Sequence, residues 1–274
     1  MKKKKLLSLL LVVMMLLNIA PFAAWAEDDV TPAADATVYV TVSNQGILAQ
    51  ANDDSIMLNR EVTVTDLDDN GKLTVNEALV AAHEAYNKDG YATESGQYGP
   101  SVTKLWGVNT SNTLFFVNDA GISSGVTDAT VKNGDHLTAS VNADDTYFAD
   151  WYTFFDKREA AVEAGEDLTL TLKGHLGMAW EEADKADVAL SGISVGLWKD
   201  GKFQALAGKT TDSDGKVKLS FNEAGTYYVT ANGTVEDEVQ AYVYDEEQEK
   251  YVSKTVTADC PIIAPGCVVT VTEK

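Results

Sequence analysis

Val62-Thr63-Val64-Thr65-Asp66-Leu67-Asp68-Asp69-Asn70-Gly71-Lys72-Leu73-Thr74-Val75-Asn76-Glu77 passes from a strand pattern through an acidic loop into a helix pattern. Its reading decides the fold of the first half. Val62 and Val64 alternate with Thr63 and Thr65, the period of a half-buried strand. Beyond the loop, Val75, Leu79, Ala82 and Tyr86 recur at helical spacing and predict one amphipathic helix over 75–87. Residues 66–77 between them match the calcium-loop pattern D-x-[DN]-x-[DN]-G-x5-E without a gap. Asp66, Asp68 and Asn70 project oxygens to one side, and Gly71 takes the sharp turn. The Lys72 carbonyl supplies a backbone ligand, Thr74 reaches the ion directly or through water, and Glu77 closes the sphere with both oxygens. Leu73 is expected to point into the core. Thr74-x-x-Glu77 is also a capping box, but a cap requires neither Asp66 nor Asp68 nor Gly71 at those offsets. The expectation is a strand-loop-helix unit holding one structural Ca2+, not a sensor that opens a groove.

Outward from this unit, Val38, Val40 and Val42 alternate in a strand, and Asn44-Gln45-Gly46 offers a turn. Residues 87–100 read as a polar connection. Strands follow at 114–117 and 136–141, the second launched by Asn133-Gly134-Asp135. The second half changes character, with strand-like runs at 168–172, 193–198, 217–221, 227–230, 240–244 and 268–272 and turn residues between most of them. Several short strands at this spacing suggest a β-sandwich. The boundary falls near Asp150, and the aromatic run 147–155 is placed to pack between the domains. Residues 245–250 form the one sustained charge run, read as a solvated loop.

Lys2 to Lys5 form a basic segment, an apolar run follows, and Pro21 precedes Ala24-Trp25-Ala26, so residues 1–26 read as a cleaved signal peptide. Residues 27–36 then form a flexible leader. The expected location is secreted and extracellular, with cell-surface association open and no membrane span after cleavage. In the whole chain 42 acids outnumber 21 bases; a cleaved leader with four lysines and no acid leaves 17 bases, a net charge of −25. Such a balance argues against nucleic acid as a partner, since phosphate contacts need a basic face. Export places Cys260 and Cys267 in an oxidising setting, where they are natural disulfide partners. A thiol pair this close also suits a metal, but no further soft ligand lies near it.

No catalytic residue is assigned. The chain has no G-x-S-x-G elbow, P-loop or dinucleotide glycine fingerprint. His83 has no second histidine at zinc-protease spacing and reads with Glu84 as a helix-surface pair. Tyr147, Trp151, Tyr152, Phe154 and Phe155, like Trp106 and Trp180, offer sugar-stacking rings, though packing is their commoner use. Asp212-Ser213-Asp214-Gly215 reads as a hairpin turn, because its glycine comes too early for a second calcium loop.

Residues 38–141 resemble the transcobalamin C-terminal-like β-domains of secreted bacterial proteins. The likeness is carried by Val62 to Asp66, by the helix from Glu77 to Tyr86, and by Leu105-Trp106-Gly107. Phe115-Phe116-Val117-Asn118 and Lys132-Asn133-Gly134-Asp135 continue it. The resemblance implies a β-grasp-like fold and, more distantly, small-ligand binding on one sheet face. The α-helical barrel domain of cobalamin-binding members has no counterpart in this sequence, and no ligand residue is carried over. The second half resembles carboxypeptidase-regulatory-like and bacterial Ig-like modules through Thr210 to Val217 and Ala224 to Val229, with Tyr227 at the place of a tyrosine corner. Such modules imply a stalk or spacer, and some carry Lys–Asn isopeptide bonds.

The expected architecture is therefore mainly β with one principal helix. A β-grasp-like α+β domain with the calcium loop spans 37–150, and an Ig-like β-sandwich spans 151–274. The expected function is a non-catalytic extracellular binding or adhesion protein whose ligand is a glycan, a protein or a small molecule. A capture protein for a cobalamin-like or other metabolite, feeding an uptake system, is the alternative, and a secreted hydrolase the third.

Overall fold

The computed structural model describes residues 31–96, 99–178, 186–245 and 250–274, with residue 245 described by its backbone alone. The leader 1–26, residues 27–30, Trp180 and most of the charge run (246–249) lie outside the described residues. The chain is mainly β with one principal helix. No helix among the described residues is long and apolar enough to cross a membrane.

The first half contains β1 (Ala36–Asn44), β2 (Ile47–Leu48), β3 (Arg60–Val64) and α1 (Val75–Tyr86). It continues through β4 (Ala92–Gly96), β5 (Gly99–Leu105), β6 (Val108–Asn109), β7 (Thr113–Val117), β8 (Ala120–Gly121) and β9 (His136–Val141). Strand β1 pairs parallel with β9, in register Val40 to Leu137 and Val42 to Ala139. Antiparallel β3 flanks β1, and antiparallel β7 flanks β9. A parallel central pair between antiparallel arms, with a helix on one face, is a β-grasp arrangement. The alternation in β1 sends Val38, Val40 and Val42 to the helix side, where they pack with Val75, Ala78, Leu79 and Ala82. Thr41, Ser43 and Ser140 are also buried, on the opposite face of the sheet.

Two sequence expectations in this half are corrected. The stretch 87–100 is not merely a polar connection: β4 and the start of β5 lie in it and pair antiparallel. His83 is not on the helix surface but 3 % exposed. Its Nδ1 bonds the Leu79 carbonyl at 2.7 Å, its Nε2 accepts the Trp106 N–H at 3.1 Å, and Tyr91 stacks on the ring.

The second half contains β10 (Trp151–Phe155), β11 (Glu159–Glu163), β12 (Asp167–Leu176), β13 (Val188–Ala189), β14 (Ser194–Lys199) and β15 (Lys202–Thr210). Beyond these come β16 (Lys216–Ser220), β17 (Gly225–Asn232), β18 (Thr234–Asp245), β19 (Lys250–Pro261) and β20 (Gly266–Thr272). One sheet joins β10, β12, β13 and β16; the other runs β11-β20-β17-β14-β15. Leu168, Leu170 and Leu172 of β12 meet Val195, Val229, Val269 and Val271 of the second sheet in one core, which makes this half a sandwich. The Tyr227 hydroxyl donates to the Glu223 carbonyl at 2.9 Å, a tyrosine-corner bond. Asp212 to Gly215 form a turn in which Asp212 accepts the Asp214 and Lys216 amides. It is not a hairpin turn, however, because β15 and β16 belong to different sheets.

Strands β18 and β19 stand apart from the sandwich as a two-stranded ribbon in continuous register from Thr234–Pro261 to Asp245–Lys250. The strand expected at 240–244 is its outer part. Cys260 near its root and Val239 midway along it pack on Ala149, with Trp151 and Leu176 against them.

The expected Cys260–Cys267 disulfide is not formed; both thiols are free and buried. The turn between them does not return the chain on itself. Cys260 ends in the ribbon's root cluster, whereas Cys267 enters the sandwich core. Burial pushes the Cys260 thiol up to about 11 and the Cys267 thiol up to about 12. Neither is a reactive thiolate near neutral pH.

The halves meet along the sheet face turned away from α1. Tyr152 stacks on Phe116 with ring centroids 3.9 Å apart, and Ile263 joins them. Trp198 packs with Leu48, Ile56 and Leu58, and its Nε1 donates to the Leu48 carbonyl at 2.9 Å. Arg158 pairs with Asp119 at 2.6 Å, and the Tyr152 hydroxyl donates to the same carboxylate at 2.8 Å.

Candidate metal centre

The loop expected to bind calcium joins β3 to α1. Asp69 and Gly71 both take positive φ, 55° and 78°. The sequence tolerates this because glycine has no Cβ to clash and aspartate is among the residues that visit this region most readily. Leu73 is buried in the first core, as expected, and its carbonyl accepts the Val131 N–H at 2.9 Å. The loop is thus fastened to the segment before β9. That segment also serves the helix start: the Val75 and Asn76 amides donate to the Ala129 and Val126 carbonyls, each at 2.8 Å. Two donors that a helix N-terminus leaves free are satisfied this way.

Carboxylate oxygens of Asp66, Asp68 and Glu77 come within 4.8 Å of one another. Calcium holds oxygens at about 2.3–2.6 Å, so ligands on opposite sides of one ion stand up to roughly 5 Å apart. The three carboxylates therefore form an acidic group with the spacing to hold a metal ion. Glu77 is 4 % exposed, Asp66 is partly buried and Asp68 is open to solvent.

Local hydrogen bonds hold these carboxylates in position. Asp66 Oδ2 accepts the Gly71 amide at 2.7 Å and the Ala33 amide at 2.9 Å, while Oδ1 accepts that of Asn70 at 3.1 Å. The Ala33 amide is the largest influence keeping the Asp66 carboxyl below its ordinary range, so it stays charged. Glu77 Oε1 accepts the Leu67 amide at 2.7 Å, and Oε2 accepts the Thr74 amide at 2.7 Å and the Thr74 hydroxyl at 2.9 Å. The Glu77 amide donates back to the Thr74 hydroxyl at 3.3 Å, completing the capping box. Cap and acidic group are therefore built from the same side chain.

The remaining expected ligands take other bonds. Asn70 donates its amide to Asp68 at 3.0 Å and accepts the Lys72 N–H on Oδ1 at 2.9 Å. Thr74 is buried and its hydroxyl serves the cap. Lys72 is exposed on the loop. The contributions of Ala33, Val126, Ala129 and Val131 were not legible, because each acts through its backbone and leaves no side-chain signature.

Of the other rings suggested for sugar stacking, Trp106, Tyr152 and Phe155 are buried. Trp151 is half-buried and donates Nε1 to Asp237 at 3.2 Å.

No protein-family model matches the chain, and no curated protein matches it. Among solved structures it is similar to the crystal structure of a "putative metal binding protein" from Ruminococcus gnavus. That similarity has 17% identity over 38% of this chain and 94% of the other, with a TM-score of 0.24. A likeness of this size extends to neither fold nor function.

Proposed function

We propose that the chain is a secreted, non-catalytic binding protein of adhesive type, in which one Ca2+ braces the β-grasp half and the sandwich acts as spacer. The observation that carries the calcium part is the convergence of Asp66, Asp68 and Glu77 on a loop whose spacing is that of a calcium loop. An all-oxygen donor set favours a hard cation over zinc, which prefers nitrogen and sulfur. The ion would tie β3 to the first turn of α1. Calorimetric titration of chelator-treated protein is expected to give one calcium site. At a calcium concentration about a hundredfold above Kd, stabilisation is expected to be about 2.7 kcal/mol. Glu77→Gln should abolish that gain, and a flat titration of the native chain would end the calcium reading.

Metabolite capture is the second reading, and one observation favours it. Both faces of the β-grasp sheet are covered, by α1 and by the second half, where the lined space is only about 30 Å³. A groove of about 330 Å³ remains beside β5 and β7, lined by Val102, Leu114, Phe115, Ile122 and Val126 together with Ser101 and Ser124. This volume is at the lower bound for a small-molecule site.

A further inference from the structure

Tyr242, Tyr244 and Tyr251 are 78 %, 53 % and 70 % exposed, among the largest exposed rings of the described chain. Register places them together. Tyr244 faces Tyr251 and Tyr242 faces Ser253, so all three project from one side of the β18–β19 ribbon, with Tyr242 diagonal to Tyr251. The Tyr244 and Tyr251 rings meet edge to face at 5.3 Å. The packing of the ribbon on Ala149, Trp151 and Leu176 uses the other side, through Val239 and Cys260.

The same side carries an ordered polar row next to the rings. Ser253 Oγ donates to Gln240 Oε1 at 2.9 Å, and Gln240 Nε2 donates to Thr255 Oγ1 at 2.9 Å. The Gln240 amide is thereby held in a fixed orientation across the strands, which lowers the entropy lost when it binds something. Toward the root the side continues as Glu236, Glu238 and Asp259, all exposed. Its described residues include no Lys or Arg.

We propose that this side of the ribbon is a binding face for a neutral polysaccharide. Pyranose rings present flat C–H faces that stack on aromatic rings, and hydroxyls at their rims that bond to fixed amides and hydroxyls. Tyr242, Tyr244 and Tyr251 supply the first partner; Gln240, Ser253 and Thr255 supply the second. The acids repel polyanions, so nucleic acid, sulfated glycans and anionic membranes are poor matches. The inference rests on the reading of the chain as an extracellular binding protein and gives that reading a ligand class and a location.

Native electrophoresis of the full chain through gels holding xyloglucan, galactomannan or mixed-linkage glucan tests it, with heparin gels as the anionic control. Retardation by at least one neutral polymer is expected, weakened about tenfold or more in the triple variant Tyr242→Ala, Tyr244→Ala, Tyr251→Ala. The triple Tyr→Phe variant should retain most of it, because the rings remain. An unchanged thermal midpoint in both variants shows that the fold is intact. Retardation that persists in the alanine variant overturns the location while leaving the binding reading in place. No retardation by any neutral polymer, retardation by heparin alone, or tyrosine-dependent self-association in its place overturns the ligand class. The calcium titration tests the brace independently of all these outcomes.

Discussion

His83 shows how a single buried group ties the fold to pH. Trp106 donates to Nε2, so that nitrogen carries no proton, and Nδ1 donates to Leu79: the ring is held neutral in one tautomer. Burial lowers its pKa, opposed in part by the bond to Leu79. The unfolded chain therefore takes up a proton near pH 6.5 that the folded chain resists, and stability must fall as pH drops below that value. His136 is shifted in the same direction by burial and by Arg158, so both contribute. Urea midpoints measured from pH 7.5 to 5 should decline for the native protein and decline less for His83→Gln. Equal slopes in the two proteins would show that His83 is not the group responsible.

At the scale of elements, the side chain that packs and the side chain that only pairs were unequally legible. β1, β3, β9 and α1 were readable because valines, leucines and alanines repeat at the period of the element. β4 was not: Ala-Thr-Glu-Ser-Gly buries nothing fully and exists because β5 pairs with it. β19 was missed for the same reason, since Thr, Lys and Ser fill positions where a core strand would show aliphatics. The acidic group was legible because ligand spacing is a local property of one loop. The absence of the disulfide was not, because spacing in sequence says nothing of which cluster each thiol enters. Tyr227 is a case where local reading sufficed. Tyr227→Phe keeps the stack on Phe221, whose centroid lies 4.4 Å away, and removes only the bond to Glu223. A loss of about 1 kcal/mol in chemical unfolding is expected, with the calcium titration unchanged.

For the whole molecule, the contact between halves is as specific as either core. Trp198 leaves the sandwich to fill a cluster with Leu48, Ile56, Leu58 and Ala264, and its indole N–H is satisfied by Leu48. Truncation in Trp198→Ala removes both, at a cost of roughly 3–5 kcal/mol. Because the two halves share that cluster, the native chain should unfold in one transition, and the variant at a lower temperature throughout. Calorimetry showing only the sandwich affected would contradict this.

The segment that seals the β-grasp sheet arrives late in the chain. Ile263 and Ala264, between β19 and β20, lie against a sheet whose central strand is β1, and the Ala264 amide donates to Ser43 at 3.1 Å. During synthesis the first half must therefore wait, uncapped on that face, for more than a hundred residues. Thr41, Ser43, Thr138 and Ser140 put hydroxyls in the middle of that face, between the apolar patches of Phe116 and of Leu48, Ile56 and Leu58. Water therefore wets only part of the uncapped surface. Hydroxyls at the centre of a buried face are intelligible as partial protection for an unfinished chain, with the apolar patches beside them left to be covered when Ile263, Ala264 and Trp198 arrive.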